Sequence, residues 1–148
     1  MRYYIDCEFD GHNGPLLSMA IVRNDLSDVY IKVLNDATDP WVIANVLPVM
    51  GMHKSKNVQC LPEVAVGSYL RGFMAENNSP VIIADSPVDI SRFCRAISTG
   101  TTGRWSSVNH SRIIFEVHNV DCYPTTLEGA VQHNAWWDAM ALREKLES

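Results

Sequence analysis

Asp6 and Glu8 stand two residues apart in the apolar stretch Tyr3-Tyr4-Ile5-Asp6-Cys7-Glu8-Phe9-Asp10. Alternate side chains of a strand share a face, so both carboxylates point the same way as Tyr4, and Tyr3, Ile5, Cys7 and Phe9 take the other face. Two carboxylates ~4 Å apart repel by about 4 kcal/mol at an effective dielectric of ~20. Such a pair needs a cation between its members, or one member must keep its proton. The plainer alternative is an exposed acidic strand end running into a turn at Asp10-Gly11. More acids follow at two other element starts. Asp85 and Asp89 come directly after the apolar run Val81-Ile82-Ile83-Ala84, and Asp138 closes His133-Asn134-Ala135-Trp136-Trp137-Asp138. Carboxylates offer only hard oxygen donors, which suit Mg²⁺ or Mn²⁺ better than zinc.

The elements that must position these groups can be read from periodicity. Residues 16–22 and 29–34 read as strands joined by the short polar link Arg23-Asn24-Asp25-Leu26-Ser27, so with the first strand they form an antiparallel meander. Asp39-Pro40 is a helix-start signature, and the helix should stop before Pro48. Residues 50–60 give little periodic signal and read as a loop. A helix is expected over 62–77, with Val66, Leu70, Phe73 and Met74 on one stripe. The run 81–84 is a strand buried on both faces. Ser86-Pro87 opens the next helix, whose Ile90, Phe93, Cys94 and Ile97 share a face. Residues 98–111 are rich in Gly, Ser and Thr and read as a loop carrying Arg104 and Trp105; 112–118 is a last strand, and 135–147 the last helix. These elements predict an α/β fold with a mixed five-stranded sheet, a meander plus parallel strands, flanked by helices.

The chain of 148 residues fits one domain, 1–148, and its 47% hydrophobic and 20% charged residues are ordinary for a globular protein. No apolar run approaches the ~20 residues that span a bilayer, and Met1-Arg2-Tyr3 begins no signal peptide. Cys7, Cys60, Cys94 and Cys122 are scattered without a C-x-x-C pair, which suits a reducing, cytoplasmic setting. A net charge of −5 argues against coating nucleic acid by electrostatics alone, but bound divalent cations would reverse the sign locally.

In this order, Asp6-x-Glu8, Asp89 with Phe93 four residues on, and His133-Asn134-Ala135-x-x-Asp138-Ala139, the chain resembles the DEDDh 3'-to-5' exonucleases of the ribonuclease-H-like fold. It resembles above all their small bacterial exoribonuclease branch. The match covers nearly the whole chain, and the last motif is its most specific part. One departure is clear: many relatives carry His-Asn-x-x-Phe-Asp in the middle motif, where this chain has Ala84-Asp85-Ser86-Pro87-Val88-Asp89.

The resemblance implies two ions, Mg²⁺ or Mn²⁺, held by Asp6, Glu8, Asp89 and Asp138, with His133 as general base. The reaction would release 5'-mononucleotides from single-stranded 3' ends, RNA favoured over DNA; a homodimer is compatible with it. By the same analogy Phe9 and Leu17 would pack on the terminal base, Phe9 having core packing as its other reading. Trp136 takes a core position, which leaves Trp137, 100° around the helix, as the ring free to stack on a base. Asp85 is expected to cap the helix or support the site. Arg92, Arg95 and Arg104 would meet phosphates or simply be solvated. Singly, each motif has a structural alternative: Asp89 as the third residue of a capping box begun by Ser86, His133 as a loop residue, Asp138 as a solvated acid in a first helical turn. A DNA-directed trimming or proofreading exonuclease, and an inactive nucleic-acid-binding relative, are the rival readings.

Overall fold

The structure, a computed structural model, describes residues 1–100, 112–121, 123 and 126–148. Arg104, Trp105, most of the expected loop over 98–111, and Cys122 lie outside the described residues. The elements are β1 (Arg2–Phe9), β2 (Leu16–Arg23), β3 (Asp28–Val33), α1 (Pro40–Asn45), β4 (Val58–Leu61), α2 (Glu63–Phe73), β5 (Val81–Ala84), α3 (Pro87–Ile97), β6 (Ile114–Val117) and α4 (Ala135–Glu147). They build an α/β fold around a six-stranded sheet of order β4-β3-β2-β1-β5-β6. β1, β2 and β3 pair antiparallel, whereas β4 on β3, β5 on β1 and β6 on β5 are parallel.

The sixth strand, β4, corrects the five-stranded expectation. Its Val58-Gln59-Cys60-Leu61 alternates exposed and half-buried at a sheet edge, and at four residues it is too short to show a period. Pairing with β3, from Tyr30↔Val58 to Val33↔Leu61, makes it a strand. α2 is shorter than the stripe suggested and ends at Phe73, with Met74 as its C-cap. β6 is likewise confined to 114–117. Beyond α1 a 3₁₀ turn, Leu47–Val49, absorbs Pro48.

The odd residues of β1 face α2 and α3: Tyr3, Ile5 and Cys7 pack with Val66, Leu70, Met74, Phe93 and Ile97. The even face meets α4, through Tyr4 with Ile83 and Leu142, and through Ala20, Val22 and Tyr30 with Trp136 and Trp137. Each fully buried Val, Leu, Ile, Phe or Met among them contributes about 1.5–3 kcal/mol of hydrophobic stabilisation. α2 and α3 approach so closely that a Cβ on Gly67 would stand 2.4 Å from the Thr99 carbonyl oxygen, which only glycine avoids. Gly67 therefore offsets its poor helix propensity by permitting this contact.

Candidate metal and functional site

The sheet leaves room beside the half-buried Asp6 and Glu8. β5 ends at Ala84, while β1 continues to Phe9, so the end of β1 lacks a neighbour on that edge. The paired register, Arg2↔Val81 to Tyr4↔Ile83, extended by two residues sets Asp85 beside Asp6. α3 then starts in the gap. Ser86 caps it, its hydroxyl accepting from the Val88 N–H at 3.2 Å, and Asp89 in the first turn accepts the Cys7 N–H at 3.2 Å. That bond uses a β1 donor that β5 no longer reaches. It also pins a buried carboxylate to the strand end.

From the other face α4 contributes Asp138. Asn134, fully buried, caps this helix by accepting from Trp136 and Trp137 N–H, and its amide donates to the Val49 carbonyl at 2.8 Å. Asp138 sits in the first turn, its N–H bonded to the Asn134 carbonyl at 3.0 Å. Two helix N-termini thus point carboxylates at one strand end, where their dipoles favour negative charge.

The result is two carboxylate trios that share Asp6. In Asp6, Glu8 and Asp138, and in Asp6, Asp85 and Asp89, one ligand oxygen per residue lies within 4.8 Å of the others. All five line one cavity of about 400 Å³, together with Phe9, Asp121, Tyr123 and His133. Burial first, and then the charges of their neighbours, hold Asp6, Glu8, Asp89 and Asp138 toward their protonated form. Burial and the Asp138 and Asp89 charges push Glu8 up to about 8. Burial and the Asp85 charge push Asp89 and Asp138 to about 7. Asp6, beneath them all, is raised well above its ordinary value by burial and then by Asp89, Asp138, Glu8 and Asp85. Such a set of oxygen donors fits a hard metal ion, which would remove the mutual repulsion.

His133 lines the same cavity. It is exposed, adopts a left-handed φ of 60°, and rests its ring edge-on against Trp41 with centroids 5.0 Å apart. On the far side of His133 and Phe9 lies a more apolar cavity of about 420 Å³, walled by Trp41, Val42 and Val46. Trp41, 53% exposed, is a site residue that the sequence reading missed. Its placement follows from Asp10, whose carboxylate accepts from Thr38 N–H, Thr38 Oγ1 and Asp39 N–H, each at 2.8 Å. Asp39 in turn caps α1 by accepting from the Trp41 and Val42 N–H groups. Those bonds hold the Asp10 carboxyl below its usual range. The turn leaves no room for a side chain at position 14, where a Cβ would collide with the Asp10 carbonyl at 1.6 Å.

Three expectations about individual residues need correction. Trp137 is 4% exposed and no freer than Trp136 at 6%. Its indole N–H donates to the Met52 carbonyl at 2.7 Å, because the segment after α1 folds over the helix and gives that side of α4 a second wall. Leu17, 1% exposed, packs under α1 with Val42 and Val46 rather than lining either cavity. The cause is a register shift: Glu8 pairs with Ser18 but Phe9 with Leu16, so Leu17 is a bulge residue turned out of the alternation. Asp85 is not the helix cap, since Ser86 is. Phe9 lies at the boundary of both cavities with the Arg92 guanidinium 4.3 Å over its ring.

No protein-family model matches the sequence, and no curated protein matches it. The fold and the site define an α/β protein whose acidic cluster could hold a metal ion at the end of its central parallel strand. Among the described residues no helix is long and apolar enough to cross a membrane.

Proposed function

We propose that the chain is a metal-dependent 3'-to-5' exonuclease of the DEDDh kind on a ribonuclease-H-like fold. It removes 5'-mononucleotides from single-stranded 3' ends, with RNA favoured over DNA. The observation that carries this reading is that Asp6 belongs to two carboxylate trios at once, in a cavity that His133 also lines. A shared carboxylate between two neighbouring oxygen sites is what a pair of ions flanking one phosphate requires.

Mg²⁺ or Mn²⁺ bound by these acids would supply positive charge to the phosphoryl oxygens and acidify a water. Asp6, Glu8 and Asp138 would form one seat, and Asp6 and Asp89 the other, with Asp85 beside them. His133, on the rim, would take the proton of the attacking water, as a positioned imidazole can. The apolar cavity across Phe9 and His133 accepts the terminal base, stacked against Trp41 and Phe9 in the place that Leu17 and Trp137 do not fill. Stacking of this kind is worth about 1–3 kcal/mol per base.

The test is digestion of matched RNA and DNA oligomers side by side, with Mg²⁺, Mn²⁺ or chelator, and chromatography of the products. The expected result is metal-dependent release of 5'-mononucleotides, faster from RNA. Oligomers left intact under every metal condition would reject the reading. The DNA arm is needed because 2'-hydroxyl recognition often uses backbone groups that a sequence does not display.

A further inference from the structure

Positive charge on α3 leads away from the acids. Arg92 and Arg95 lie one helical turn apart. Arg92 donates to the carbonyls of Gly14 at 2.6 Å and His12 at 3.3 Å, which are neutral acceptors. Arg95 is exposed and, among the described residues, enters no ion pair or side-chain hydrogen bond. Both arginines line a concavity of about 400 Å³ with His12, Pro87 and Val88. Val88 also lines the acidic cavity, so the two adjoin at that residue. Both arginines line, too, a pocket of about 260 Å³ whose apolar lining is Pro15, Leu16, Val66 and Ala96. Glu63 of that pocket is within hydrogen-bond reach of the Asn35 amide at 3.5 Å. Shared lining residues therefore link the acids, over Val88, to two arginines and an apolar pocket, a line of adjoining concavities along α3 that forms the α3 groove. Another cavity, which shares Asp121 and Tyr123 with the acidic one, has Glu144 beside Lys145 and, among the described residues, offers a polyanion no net attraction.

Resting on the exonuclease reading, we propose that the α3 groove carries the strand upstream of the scissile linkage. Arg95, with Arg92 behind it, faces upstream phosphates, and the apolar pocket beyond takes an upstream base. The partner is a single-stranded nucleic acid several nucleotides long; a dinucleotide, whose one linkage is the scissile one, has no upstream phosphate to place against Arg95. Arg92 also holds Phe9 and the turn after β1, so Arg95 is the residue to change.

The test compares wild type, Arg95→Ala and Arg95→Lys. Binding of a 5'-fluorescein-labelled single-stranded heptamer, its 3'-terminal linkage a phosphorothioate and Ca²⁺ the divalent ion, is measured by anisotropy across a salt series. In Arg95→Ala the slope of log K against log salt should shrink by about 0.7, the share of one phosphate contact on a single strand. Arg95→Lys should restore it. In kinetics with Mn²⁺, Arg95→Ala should raise KM for the unmodified heptamer about 5–10-fold and leave kcat/KM for a dinucleotide unchanged. An unchanged salt slope, or equal losses on heptamer and dinucleotide, overturns the groove. Should wild type bind the heptamer but hydrolyse neither substrate, the exonuclease reading falls, and the salt slope alone decides the groove. No binding by wild type overturns both.

Discussion

Metal-free protein should lose stability as pH rises from 5 to 8, opposite to the usual behaviour of paired carboxylates. Asp89 and Asp138 titrate near 7 and Glu8 near 8 in the folded chain, against ordinary values of 3.8 and 4.5. Below about pH 4 these groups are protonated in both states and contribute nothing. Above it the unfolded chain ionises freely while the folded chain keeps its protons. The folded state therefore binds more protons, and stability falls until pH passes the folded values near 7–8. For Asp89, a rise from 3.8 to about 7 at about 1.4 kcal/mol per pK unit is about 4 kcal/mol. The part between 3.8 and 5 is already lost at pH 5, which leaves about 2.6 kcal/mol between pH 5 and 8; the acids share one repulsion, so their contributions do not add, and that figure is taken for the cluster. At about 2–4 °C per kcal/mol for a domain of this size, Tm in chelator should drop by about 5–10 °C between pH 5 and 8. His53, whose pKa burial and the Lys32 charge push down, acts in the other direction and trims the drop near pH 5–6. Thermal melts in chelator at pH 5, 6, 7 and 8, repeated with Mn²⁺, measure this. Mn²⁺ should raise Tm strongly at pH 8 and little at pH 5, because binding must displace protons. Asp89→Asn should raise the pH 8 melt in chelator and blunt the Mn²⁺ effect. A chelator Tm that is flat or rises from pH 5 to 8, with no gain from Mn²⁺, would refute the reasoning.

Other predictions address single residues. His133→Ala should lower turnover by about 10²–10⁴-fold, with Mn²⁺ affinity by calorimetry nearly unchanged; lost Mn²⁺ binding would make it a ligand instead. Trp137→Ala should destabilise by about 3–5 kcal/mol in denaturant melts, as a large core truncation does. Trp41→Ala should leave those melts within about 1 kcal/mol and raise KM for oligonucleotides, and the reverse pattern would remove Trp41 from the base cavity. Asp85→Asn should weaken Mn²⁺ binding while the melt in chelator does not fall, since Ser86 and not Asp85 caps α3. A drop in that melt with Mn²⁺ binding intact would return Asp85 to a structural role.

The acidic site was legible in sequence wherever it depended on local rules. Strand alternation put Asp6 and Glu8 on one face, and Ser86-Pro87 fixed the start of α3 and so the first-turn place of Asp89. Alternation likewise assigned Tyr3, Ile5 and Cys7 to the opposite packing face. What escaped depended on pairing between distant segments. Asp85 reaches Asp6 only through the β1–β5 register, which no local pattern encodes. Leu17 turns toward α1 because of a bulge opposite Phe9, and the alternation taken from neighbouring residues does not foresee it. Trp137 is covered by residues near Met52, part of a stretch without periodic signal. Helical angles alone could not supply that second wall. Trp41 came into the site through three hydrogen bonds accepted by Asp10, an acid read only as part of a turn.

The central claim is best tested by following a 5'-labelled single-stranded RNA through time with Mn²⁺, beside a circular RNA of the same sequence. The account predicts a ladder that shortens one nucleotide at a time from the 3' end, stops on chelation, and leaves the circle intact. A circle cut as fast as the linear strand, or a ladder that persists in chelator, would contradict it.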